Sequence, residues 1–79
     1  MQQPPMVGTW TVQVHAVRPF TIHGDLYYEL LVTRTDDPAA GDAGFQLRVP
    51  QHAIAGEPTI GQRLTLTFLM GQVTSARPA

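Results

Sequence analysis

Thr9-Trp10-Thr11-Val12-Gln13-Val14-His15-Ala16 is the stretch that decides the fold. Trp10, Val12, Val14 and Ala16 fall on one side and Thr9, Thr11, Gln13 and His15 on the other, and a period of two is that of a half-buried strand. Toward the C-terminus, Pro19 cannot donate to a ladder and predicts an edge or a bend, after which Phe20 and Ile22 keep the even phase. His23-Gly24-Asp25 carries turn chemistry, and Leu26, Tyr28, Leu30 and Val32 alternate through a second strand over Leu26 to Thr35. A three-residue loop pairs Ile22 with Leu26, Phe20 with Tyr28 and Ala16 with Val32, which brings both apolar faces to one side of a long hairpin.

Beyond this hairpin, Thr35 to Gly44 gathers turn formers and the aspartates Asp36, Asp37 and Asp42, the composition of an exposed acidic loop. Phe45, Leu47 and Val49 alternate in a third strand that ends at Pro50, and Gln51 to Ala55 has room for one helical turn. Leu64, Leu66 and Phe68 alternate in the next strand. At Met70-Gly71 the apolar phase moves from even to odd, with Val73 as the next core candidate. Such a shift beside a glycine marks either a bulge in one bent strand running to Arg77 or a tight hairpin in which Leu69 opposes Gln72. Toward the N-terminus, residues 1–7 hold two adjacent prolines and read as a flexible arm, leaving 8–77 as one domain.

Four or five strands with one residual helical turn predict an all-β chain, a small antiparallel barrel of OB type, with an SH3-like barrel as the alternative. From Phe45 onward the order is strand, short connection, Gly61-Gln62-Arg63-Leu64, then a glycine-interrupted strand through Gly71-Gln72-Val73. In this order the last 35 residues resemble the second half of bacterial single-stranded-DNA-binding OB domains. That resemblance implies binding of single-stranded nucleic acid. The chain departs from the family in having almost no helix and few basic residues.

Composition narrows the function. The 79 residues suit one domain, and 43% apolar against 14% charged residues is a globular balance. Five arginines, no lysine and six acids leave a formal charge of −1, too even to indicate a polyanion partner. Without cysteine there is no disulfide or thiolate metal site. The start lacks a basic segment followed by an apolar one, and no apolar run approaches bilayer length, so a cytoplasmic chain without membrane contact is expected. A core of this size supplies roughly 3–5 kcal/mol, which oligomerisation would supplement.

Enzyme chemistry finds little support. Ser75, the only serine, lies near the C-terminus, and His15, His23 and His52 have no metal-ligand or triad spacing. The acidic loop lacks the ligand spacing of an EF-hand, Glu29 and Glu57 are isolated, and no glycine-rich loop precedes a helix. The expectation is a non-enzymatic module with no metal and no cofactor.

Two binding surfaces remain. The preferred reading is protein–protein contact, with a homo-oligomer or a protein partner. Its basis is an outer sheet face almost free of charge: Thr9, Thr11 and Gln13, then Tyr27, Leu31 and Thr33, then Thr65, Thr67 and Leu69. Tyr27, Leu31, Thr65, Thr67 and Leu69 are its candidate contacts. The alternative is single-stranded nucleic acid held by Arg34, Arg48 and Arg63, with Tyr27 as a stacking platform. Three arginines on phosphates give a salt slope of only about −2.

Overall fold

Alternation in the sequence becomes five antiparallel strands in the structure, a computed structural model that describes residues 6–41 and 43–79. Strand β1 is Val7–Ile22, β2 Asp25–Arg34, β3 Gly44–Pro50, β4 Arg63–Leu69 and β5 Gln72–Pro78. They form one sheet in the order β3-β2-β1-β4-β5. Single 3-10 turns at Pro38–Ala40 and Gln51–Ala53 are the only helical segments among the described residues, so the chain is all-β. Most of the predicted arm, residues 1–5, and Asp42 of the acidic loop lie outside the described residues. Val7, counted with the arm, is the first residue of β1 and pairs with Leu69.

The β1–β2 hairpin corrects the predicted register. His23 and Gly24 both have positive φ, 51° and 84°, so the loop holds two residues and Ile22 pairs with Asp25. Two left-handed residues in succession match the right-handed twist of the flanking strands, and histidine tolerates that region better than most side chains. Phe20 therefore opposes Tyr27, and Ala16 opposes Leu31. A bulge between Val14 and Ala16 restores the phase, with Val14 opposite Val32. At this bulge β1 passes from β4 to β2, and the Val14 N–H donates to the Gln62 carbonyl while its own carbonyl accepts from Gly61 N–H. Before the bulge the even residues Trp10, Val12 and Val14 are buried; after it Ala16 is exposed, Val17 packs on the core and Phe20 is only half-buried.

Met70-Gly71 takes the hairpin alternative. Both residues have positive φ, 53° and 76°, and Leu69 opposes Gln72 while Phe68 opposes Val73. A second bulge, between Thr67 and Phe68, sets both Val73 and Ala76 on the buried side.

All fully buried large side chains, among them Leu30, Val32, Val49, Leu64, Leu66 and Phe68, lie on one face of the sheet. With only two single turns besides the strands, one face reaches such burial only by curling onto itself. The Cα radius of gyration, 11.7 Å, agrees with about 11.6 Å for a compact chain of this length. The curl is incomplete: β3 and β5 remain edges with no ladder between them, and a single parallel bridge ties Ile54, in the connection after β3, to Ala76 of β5. The predicted barrel is thus an open, curled sheet. No helix among the described residues is long and apolar enough to cross a membrane.

Candidate functional site

The outer face of β1, β2 and β3 is built in cross-strand rows. One row runs Phe20, Tyr27, Pro50; the next Arg18, Glu29, Arg48; the next Ala16, Leu31, Gln46. Phe20 stacks on Tyr27 with ring centroids 5.7 Å apart and planes 22° from parallel, and the Arg48 guanidinium lies 5.3 Å over the Phe20 ring. Arg18 and Glu29 approach to 3.9 Å, an exposed pair that contributes little to stability.

A concavity of about 560 Å³ lies beside these rows. Tyr27, Glu29, Gln46 and Arg48 line it from β2 and β3, Gly71 and Gln72 close it from the β4–β5 turn, and Leu47, Phe68 and Val73 bring core apolar surface to it. Of the four residues predicted to hold a single strand, Tyr27 and Arg48 are brought together here. Phe20 and Arg18 stand in the rows beside the concavity without lining it, Phe20 against Tyr27 and Arg48 and Arg18 against Glu29, and were missed, Phe20 because the predicted register placed it against Tyr28. The signal that finds both is the dipeptide His23-Gly24, read as a two-residue turn.

Arg34 is engaged elsewhere. Its Nε donates to Asp36 Oδ1 at 3.0 Å and its Nη1 to Asp37 Oδ2 at 3.3 Å, while its guanidinium lies 4.4 Å over the Trp10 ring. Asp36 Oδ2 accepts from Thr11 N–H at 3.1 Å, and Asp37 Oδ1 from Ala39 N–H at 3.0 Å. Desolvation pushes the Asp36 carboxyl up, but the bonds from Arg34 and from the Thr11 backbone outweigh it and hold the group below the ordinary carboxylate range. Arg34 and the loop aspartates thus close the end of β2 over Trp10. Arg63 opens β4 opposite Gln13, on the other half of the sheet, and does not line the concavity.

The five predicted contact residues divide into two groups. Tyr27 and Leu31 stand on β2; Leu31 lies over Gly44, where an added Cβ would come within 3.3 Å of its Cδ1. Thr65, Thr67 and Leu69 face outward on β4 beside Thr11, Thr9 and Val7. This second group continues into a cluster that the alternation did not identify. Met6, Val7, Leu69 and Met70 are 66%, 72%, 54% and 74% exposed, and the Met6 carbonyl accepts from Gly71 N–H at 3.1 Å. Reading 1–7 as an arm concealed the pairing of Val7 with Leu69, although the Met-Val and Leu-Met pairs were visible in sequence.

His15 Nε2 lies 2.8 Å from Thr33 Oγ1, while His23 and His52 are exposed in turns. Among the described residues no group of three His, Cys, Asp or Glu side chains is placed to hold a metal. Compared with known proteins, the chain matches no family model, no curated protein and no solved structure.

Proposed function

We propose that this chain is a non-enzymatic binding and assembly module that works through protein contacts. The observation carrying the reading is the group Met6, Val7, Leu69 and Met70, four exposed large apolar residues gathered where the start of β1 meets the β4–β5 turn, with no charged residue among them. Apolar side chains scattered singly over a surface are ordinary; a contiguous group marks a contact. The row leading from it, Thr9 with Thr67 and Ser75, is uncharged and inexpensive to desolvate, and the next, Thr11 with Thr65, ends at Arg77.

The chain has no cysteine, so single cysteines report accessibility cleanly. In concentrated extract of the expressing cells, the Thr67→Cys variant should react with a maleimide markedly more slowly than the Thr21→Cys variant on the β1–β2 hairpin. Equal rates for the two would contradict the reading.

The concavity favours a second reading, an OB-type binder of single-stranded nucleic acid. Stacked Phe20 and Tyr27 beside Arg48 and Arg18 supply the aromatic and cationic groups that such binding uses, on the face where OB folds hold oligonucleotides. Fluorescence anisotropy with labelled oligo-dT at low salt tests it. Two arginines on phosphates give a log–log salt slope of about −1.4, and Tyr27→Ala and Arg48→Ala should each weaken the signal. No binding at tens of micromolar would remove this reading.

A further inference from the structure

We infer that Glu29 makes the concavity select a base with an exocyclic amino group, cytosine over thymine among the pyrimidines; this rests on the single-strand reading and names the base that site takes. Glu29 follows Tyr27 by two residues on β2, so both side chains leave the same face, about 6.8 Å apart along the strand. Both line the concavity. A base stacked on the Tyr27 ring and turned into the concavity directs an edge toward Glu29, and half the width of a pyrimidine plus a hydrogen bond of about 2.9 Å covers most of that spacing.

The Glu29 carboxylate is free to accept. Arg48 is its cross-strand neighbour on β3, yet the Arg48 guanidinium reaches past it to lie 5.3 Å over the Phe20 ring. Arg18, the neighbour on β1, stops at 3.9 Å from Oε1, too far for a hydrogen bond. The Glu29 side chain is only 35% exposed, so a bond formed to it is screened less than one on an open surface.

A carboxylate only accepts. Cytosine presents its N4 amino group where thymine presents the O4 carbonyl. The same approach therefore forms a charge-assisted hydrogen bond with one base and sets two acceptors against each other with the other. The ring N–H of thymine lies between two carbonyls and does not remove the clash. Gln46 and Gln72, on opposite sides of the concavity, carry both donors and acceptors and serve either base. Glu29 also repels the phosphates, but it does so alike for every base, and with two arginines the strand is held weakly except at low salt.

Fluorescence anisotropy of the purified full chain with labelled oligo-dC and oligo-dT of about ten nucleotides tests this, at low salt and in mildly alkaline buffer where cytosine carries no proton. Oligo-dC should bind about fivefold tighter than oligo-dT, the low end of what one side chain discriminates between bases. In Glu29→Gln the amide can donate to O4 as readily as it accepts from N4, so the ratio should fall to about one while oligo-dT binds more tightly than to wild type. Arg18→Gln should weaken both oligonucleotides and leave their ratio within about twofold, as should Asp25→Asn for the carboxylate on the other side of Tyr27. Position 29 is half-buried and glutamine has the shape of glutamate, so the variant should fold, which circular dichroism checks. A merely structural role as the partner of Arg18 would shift both oligonucleotides by the same factor; an unchanged ratio in Glu29→Gln thus overturns the inference. A ratio lost in Asp25→Asn and kept in Glu29→Gln overturns it as well. A wild-type ratio of about one, with oligo-dT bound, removes the base selection and leaves the single-strand reading standing; no binding of either oligonucleotide at tens of micromolar removes both.

Discussion

Replacing Arg34 by Met separates the two roles that an arginine at the end of β2 can have. The methionine keeps an aliphatic stem over Trp10 but removes the bonds to Asp36 and Asp37 and the cation over the indole. The Arg34 side chain is 17% exposed and each aspartate side chain 29%, so solvent screens these interactions only in part. Hydrogen bonds to charged groups contribute about 1.5–3 kcal/mol where well buried, and a cation over an aromatic ring about 0.5–1 kcal/mol near a surface. Discounting the ion pairs for their exposure, Arg34→Met should lose about 2 kcal/mol. In a domain of this size that is a fall in Tm of roughly 8–16 °C.

Urea unfolding measures the loss, and a double-mutant cycle with Asp36→Asn should return a coupling of about 1 kcal/mol. The same variant, studied below its Tm, should retain whatever oligonucleotide affinity the wild type shows, because Arg34 lies outside the concavity. A loss under about 0.5 kcal/mol with no coupling to Asp36 would refute the structural role. An oligonucleotide affinity that falls as much as in Arg48→Ala would show that Arg34 acts in binding.

His23→Asn should stabilise the chain by about 0.5–1 kcal/mol in urea unfolding, because Asn-Gly suits a turn with two left-handed residues better than His-Gly. Leu30→Ala removes a fully buried side chain from β2 and should cost about 3 kcal/mol in urea unfolding, most of the roughly 3–5 kcal/mol that so small a core supplies. Because the Asp36 carboxyl is held below its ordinary value of 3.8, it stabilises the fold above that pH, and the contribution is lost as pH falls through 3.8 to the lower folded-state value. Unfolding free energies compared at pH 7 and pH 3 should therefore drop more in wild type than in Asp36→Asn. Equal drops would place acid sensitivity elsewhere.

The all-β class, the buried face of Trp10, Val12 and Val14, and the alternation of Leu47, Val49, Leu64, Leu66 and Phe68 were legible because side-chain period follows directly from strand geometry. Register at the first hairpin was not. A loop of two rather than three residues and a bulge at His15 offset each other, so the start of β1 and the even residues of β2 still bury as expected, while Ala16 is exposed and Phe20 moves to the outer face beside Tyr27. Nothing in the local alternation reports that exchange; only the turn preference of His23-Gly24 does. The hairpin and bulged-strand readings of Met70-Gly71 predict nearly the same buried residues, and positive φ at both positions decides between them. For the candidate sites, composition indicated a nearly uncharged outer face but not its division by β1. Arg34 looked available because its partners follow two and three residues later, in a stretch that reads as solvated loop.

Amide chemical shifts of the isotope-labelled chain, compared between dilute buffer and concentrated extract of the expressing cells, test the central claim most directly, since they report which face takes part in contact. The account predicts changes in extract centred on Val7, Thr9, Thr67, Leu69 and Gln72, with Phe20, Tyr27 and Arg48 unaffected. Changes centred on the β2–β3 concavity, or none, would contradict it.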